Sequence, residues 1–89
     1  MIQAKITVIN KLGLHARAAT KLATLANRFD CKISTGIDQP TVDAKSVMSL
    51  MLLAANRGTE LIFEFDGDEE EHAREAIEAL FANYFDEGQ

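Results

Sequence analysis

Asn10-Lys11-Leu12-Gly13-Leu14-His15-Ala16-Arg17 lies between two runs of different periodicity, and that junction decides the architecture. Before it, Ile2, Ala4, Ile6 and Val8 alternate with Gln3, Lys5, Thr7 and Ile9, the period of a half-buried strand. After it, Ala19, Leu22, Ala23, Ala26 and Phe29 recur at helical spacing, which predicts a helix from Ala16 to Phe29. Its alanines let it lie close to a sheet. Asn10 to Gly13 breaks the strand, so His15 stands where a strand turns into a helix.

The rest of the chain repeats the alternation of periods. Cys31, Ile33 and Thr35 alternate with Lys32, Ser34 and Gly36 as a second strand, and Gly36 to Pro40 reads as a turn. Thr41 to Ala44 is a short third strand. Ser46 to Ala55 is a compact apolar helix, with Ser46 as its N-cap and Gly58 as its stop. Leu61, Phe63 and Phe65 mark the fourth strand, Ile62 being the one mismatch. Asp68 is expected to cap a last helix carrying Glu69, Glu70 and Glu71 in its first turn, where the helix dipole favours acids. Ala73, Ala76, Ile77, Leu80, Phe81 and Tyr84 form its apolar stripe, and the tail from Asp86 to Gln89 is expected to fray. The order βαββαβα predicts an α+β fold, a two-layer open-faced sandwich with a four-stranded antiparallel sheet and three helices on one face.

The 89 residues, 47% of them apolar, are enough for one modest core, so residues 1–89 are read as a single domain. No stretch reaches the ~20 apolar residues that span a bilayer, and no signal-peptide pattern opens the chain. Membrane insertion is not expected, and the cytoplasm is the expected location. Cys31 is the one cysteine, which rules out an internal disulfide and a thiolate metal cluster. Residues 1–45 hold seven Lys/Arg against three Asp/Glu, while residues 46–89 hold two against eleven. A net charge of −5 makes a poor general nucleic-acid binder. The basic half, with Lys11, Arg17, Lys21 and Lys45, suits an anionic group or an acidic protein instead.

The chemistry concentrates at His15. Unpaired N–H groups and the positive end of the dipole meet at a helix start. That field favours the neutral imidazole, a nucleophile near neutral pH. The same N–H groups cradle an anion placed on the ring, and the Arg17 guanidinium is a forked donor suited to phosphate. Together these point to a phosphohistidine site. Phosphoryl transfer asks for positioning and charge stabilisation more than for acid–base side chains. An exposed nucleophile on a rigid corner meets that need without a deep pocket.

Gly13-Leu14-His15-Ala16-Arg17, Lys45-Ser46-Val47-Met48, Gly58 and Gly67, at these spacings and in this element order, resemble the HPr family, the histidine-containing phosphocarriers of the bacterial phosphotransferase system. Ile9 to His15, the Met48 to Ala55 run and the acidic end at Phe85-Asp86-Glu87 look closer to its nitrogen-related (NPr) branch. The resemblance implies that His15 takes a phosphoryl group on Nδ1 from a phosphoenolpyruvate-dependent enzyme I, nitrogen type, and passes it to a IIA-type protein. It implies that Arg17 neutralises the phosphate, that the Ala16 and Arg17 amides bind it, and that no cofactor or metal is used. The chain would then be a carrier with a covalent phosphohistidine intermediate rather than a stand-alone enzyme. One departure is Ala18, where the family usually has proline; alanine allows the same φ without enforcing it and restores a donor, so a slightly looser first turn is expected.

The partner face is expected to be apolar with a charged rim. Its candidates are Ala16, Ala19, Thr20, Lys21 and Ala23 on the first helix, and Lys45, Val47, Met48 and Met51 around the second. Methionine suits surfaces that accept several partners. Ser46 matches a serine that is phosphorylated in some HPr lineages, although capping already accounts for it. His72, beside Glu70 and Glu71, reads as a solvated helix face rather than a metal ligand. A monomer fits a docking carrier. The alternative to a carrier is a regulatory module that binds partners without phosphotransfer. A small ligand- or RNA-binding module is a third class, disfavoured by the acidic balance. The chain shows no nucleotide loop and no Ser or Cys triad for a conventional enzyme.

Overall fold

The computed structural model describes residues 1–88. The elements are β1 (Ile2–Thr7), α1 (Ala16–Ala26), β2 (Cys31–Gly36), β3 (Val42–Asp43), α2 (Val47–Leu52), β4 (Glu60–Gly67) and α3 (Glu70–Ala82), followed by one tight turn over Tyr84–Asp86. The strands form one sheet in the order β1-β4-β2-β3, and every neighbouring pair is antiparallel. Both long pairings meet at Phe65, which lies opposite Ile2 on β1 and Ile33 on β2. This is the expected open-faced sandwich with its three helices on one side.

Alternation decides which face of the sheet is dry. Ile6, Leu61, Phe63, Phe65 and Ile33 point into the core and meet Leu22 of α1 with Ile77 and Phe81 of α3. Phe63 stacks on Phe65 with centroids 5.9 Å apart and takes the edge of Phe81 at 5.7 Å. Ala18, Ala19, Ala23 and Ala26 are buried, so α1 packs closely through small side chains.

Three helix boundaries differ from the expectation. Helix α1 ends at Ala26, because the Asn27 side chain folds back onto the Ala23 carbonyl at 2.8 Å and also reaches the Lys45 carbonyl at 3.0 Å. Helix α2 stops after Leu52, where Ala54 adopts φ 50°. Gly58 therefore does not end the helix; it serves the turn into β4, where its N–H donates to the Val8 carbonyl at 2.7 Å. Asp68 is not the cap of α3; Glu69 occupies that position and no side-chain bond closes the end. The Glu70 carboxylate instead accepts from the Gly67 N–H at 3.4 Å.

The C-terminal segment is the largest difference. Tyr84, Phe85 and Asp86 take φ of 55°, 53° and 63°, three consecutive left-handed residues without a glycine. Each costs about 1–2 kcal/mol. The turn reverses the chain and buries Phe85 completely against Phe81, with centroids 4.7 Å apart. Tyr84 leaves the apolar stripe and is 37% exposed. Asp86 and Glu87 are ordered into contacts and do not fray; Gln89 lies outside the described residues.

Candidate functional site

The loop before α1 is built on Gly13 and Asn10. Gly13 has φ 69°, and a Cβ there would come within 2.6 Å of the Ala55 carbonyl oxygen. The next residue uses that oxygen, as the Leu14 N–H donates to it at 2.8 Å. Asn10 is fully buried, and its side-chain amide donates to the Gly13 carbonyl at 2.7 Å. Leu14 is buried as an anchor. The chain therefore delivers His15 to the helix start with little freedom.

His15 is the N-cap of α1, with extended φ −76° and ψ 179°. Its Nδ1 accepts from the Arg17 N–H at 3.3 Å, the bond that a capping Ser or Asp ordinarily makes. The first turn is regular despite Ala18: the Ala19 N–H donates to the His15 carbonyl at 2.8 Å, and the Thr20 hydroxyl donates to the Ala16 carbonyl at 2.8 Å. Ala16, Arg17 and Thr20 are exposed, so the Nδ1 side of the ring opens to solvent beside the opening amides of the helix.

The opposite nitrogen faces protein. His15 Nε2 pairs with the Glu87 carboxylate, whose side chain is only 10% exposed. The other oxygen of that carboxylate accepts from the Asn10 amide at 3.1 Å. Lys21 supports the arrangement from α1: its Nζ donates to the Phe85 carbonyl at 2.8 Å and lies 3.8 Å from Asp86. Lys11, Leu12, Arg17 and Glu87 line a shallow cleft of about 320 Å³ next to the ring. One carboxylate thus meets the ring from behind, and two cations, Lys11 and Arg17, share a cleft with that carboxylate. Neither Glu87 nor Asn10 was legible as part of this site. Glu87 sits 72 positions from His15, and Asn10 read only as a strand breaker.

The remaining candidates divide by position. The loop before His15 abuts Ala55 and Asn56, just past the end of α2. Met51 (42% exposed) and Leu52 (81%) therefore lie toward the His15 end, with Leu12 (67%) on the loop itself. Met48 is exposed one turn earlier, and Val47 is half-buried. Leu52 escaped the sequence reading because helical spacing alone does not separate an outward apolar residue from a core one, and Leu12 because a loop residue carries no periodicity at all. Ala19 and Ala23 belong to the core and present no partner face. Ser46 caps α2, its hydroxyl accepting from the Ser49 N–H at 3.3 Å.

Lys45 does not surround His15. Its Nζ donates to the Phe29 carbonyl at 2.9 Å, beyond the far end of α1. Eleven helical residues, roughly 16 Å of rise, separate the two ends. Among the described residues, no group of three or more His, Cys, Asp or Glu side chains is placed to hold a metal ion, and no helix is long and apolar enough to cross a membrane.

An imidazole set at the open amides of a helix, with a guanidinium two residues on and an antiparallel sheet beneath, defines a surface nucleophile on a rigid α+β platform. Residues 2–83 match the family model described as the PTS HPr component phosphorylation site. The chain belongs to the HPr family of phosphocarriers of the phosphotransferase system. It is 47% identical over 89 residues to the phosphocarrier protein HPr of Cupriavidus necator, covering 100% of both chains. It is 46% identical over 86 residues to that of Pseudomonas aeruginosa, covering 96% of each. The crystal structure of HPr-C-His from Thermoanaerobacter tengcongensis superposes with a TM-score of 0.92 at 36% identity, covering 98% of each chain.

Proposed function

We propose that His15 is the phosphoryl acceptor of this carrier, loaded on Nδ1 by a phosphoenolpyruvate-dependent enzyme I and unloaded onto a histidine of a IIA-type protein. The observation that carries this reading is the position of Nδ1: on the exposed side of the ring and within hydrogen-bond reach of the Arg17 amide at the start of α1. A phosphoryl group formed there takes over that N–H and its neighbours, as an anion does at any helix N-terminus. The Arg17 side chain, exposed beside the cleft, supplies the compensating charge. The cradle is light, and a light cradle suits a group that must leave again.

Residues 1–89 act in this reading as one domain. The exposed residues Leu12, Met48, Met51 and Leu52 form the apolar part of the docking face, with Thr20, Arg17 and Lys21 on its rim. The donor is taken to be the nitrogen-type enzyme I, on the strength of the Ile9 to His15 and Met48 to Ala55 runs.

The test is to incubate the full chain with radiolabelled phosphoenolpyruvate and either a nitrogen-type or a sugar-type enzyme I. The expected product is one acid-labile, alkali-stable phosphate, formed faster with the nitrogen-type donor. It is lost in His15→Ala, retained in His72→Ala, and formed about tenfold or more slowly in Arg17→Ala. A wild-type chain that stays unlabelled with both donors overturns the acceptor assignment. Equal or faster loading by the sugar-type donor overturns the nitrogen assignment alone.

A further inference from the structure

We propose that Glu87 is a positioning residue for the phosphotransfer: its carboxylate keeps the His15 proton on Nε2 throughout the transfer cycle and so leaves Nδ1 as the lone-pair nitrogen before loading and after unloading. The inference rests on the assignment of His15 as acceptor and adds to it the part played by the C-terminal segment.

Two contacts select the same tautomer. Nδ1 accepts from the Arg17 N–H, and a nitrogen that accepts carries no proton. Nε2 faces a carboxylate, which when ionised only accepts, so Nε2 is the nitrogen that donates. A second hydrogen bond on the far nitrogen is the usual means of fixing which imidazole nitrogen is free to react.

Glu87 is itself held rather than left to sample. The Asn10 amide grips one carboxylate oxygen while the other meets the ring. The chain reaches this place only through the left-handed turn at Tyr84–Asp86, an unfavourable backbone held by burial of Phe85 and by the Lys21 bond to its carbonyl. Strain of this kind persists where surrounding contacts over-determine it. Here its outcome is a carboxylate set against the rear of the nucleophile.

The consequence for transfer follows from the electron count. In loading, the Nδ1 lone pair forms the N–P bond, and the bond from phosphorus to the donor atom breaks with its pair staying on the donor. The ring is then a phosphoimidazolium that still carries the Nε2 proton, facing the Glu87 carboxylate. In unloading, the acceptor's lone pair attacks phosphorus and the N–P pair returns to Nδ1. The leaving group is neutral imidazole. Had the Nε2 proton been lost, the leaving group would be an imidazolate, which is far poorer.

The test uses the full chain with 15N-labelled histidine, observed by long-range 15N–1H spectra at a pH where the ring is neutral. Wild type is expected to show an unprotonated Nδ1 and a protonated Nε2 at His15. In Glu87→Ala the two nitrogen shifts are expected to move toward a mixture of tautomers. Loading and unloading rates should then fall by about tenfold, the size of one charge-assisted hydrogen bond. Glu87→Gln offers a single acceptor oxygen to the two donors, Asn10 Nδ2–H and His15 Nε2–H, and is expected to restore the tautomer and the rate only in part. Amide spectra away from residues 10–21 and 84–88 report that each variant is folded. Unchanged tautomer or unchanged rate in Glu87→Ala overturns the proposal, as does a faster rate, which would make the carboxylate a cover. If no donor loads wild type although the tautomer responds to Glu87→Ala as expected, the acceptor assignment falls and with it the transfer role of Glu87.

Discussion

Lys21 and Phe85 tie the first helix to the end of the chain: the Lys21 ammonium donates to the Phe85 carbonyl at 2.8 Å, across 64 positions of sequence. This bond is the closer of the two contacts Lys21 makes with the left-handed turn, since its ion pair with the exposed Asp86 spans 3.8 Å. Lys21→Met keeps the aliphatic stem and removes the donor. It is expected to cost about 1 kcal/mol in urea unfolding, the range for a hydrogen bond from a charged group at a partly exposed site. The same variant should raise amide hydrogen exchange at residues 84–88, which a generic loss of stability would not confine to that segment.

Phe85 is the apolar fastening of the same turn. It is fully buried against Phe81, and the turn residues around it are unfavourable in isolation. Phe85→Ala removes a ring from the core edge and is expected to cost about 3 kcal/mol in thermal or chemical denaturation. Stability falling by less than about 1 kcal/mol would show that the segment detaches without a cavity being left.

Gly13 carries two demands at once, a φ of 69° and a close approach to the Ala55 carbonyl. Gly13→Ala meets backbone, not a flexible side chain, so the loop must shift. An expected loss of about 2 kcal/mol is read by denaturation. The shift displaces the Leu14 bond to the same carbonyl, so the His15 ring resonances should move as well.

Cys31 gives the pH dependence a sign. Burial is the first cause that pushes its thiol above the ordinary 9.0, and Lys45 opposes the shift only in part. A group whose folded value is raised contributes stability that is fully present below the unfolded value and is lost as pH rises through the folded one. Denaturation midpoints should therefore begin to fall as pH passes about 9. Cys31→Ala should flatten that decline. Native Cys31, 8% exposed, should react with an alkylating reagent much more slowly than the urea-unfolded chain.

Where the signal is periodic, the elements were legible within a few residues. Ile6, Phe63 and Phe65 alternate on a two-residue period and form the dry face of the sheet, and Leu22 and Ile77 repeat at helical spacing and cover it. The place of His15 and Arg17 at a helix start was legible because that start is itself local, written into the residues on either side. The end of α2 at Ala54 was not legible, since a left-handed alanine contradicts its own propensity and is imposed by packing.

The amino-acid order alone determined the strands, the three helices and the placing of an imidazole at a polarised helix opening, because strand and helix periods and the dipole of a first turn act over a few residues. Tertiary structure alone decided what stands behind that imidazole. Glu87, Asn10, Lys21 and Phe85 meet there only because the chain reverses after α3, and Lys45 is drawn to the opposite end of α1 by the Phe29 carbonyl. Contacts between distant residues depend on how closed layers pack, and no local pattern encodes them.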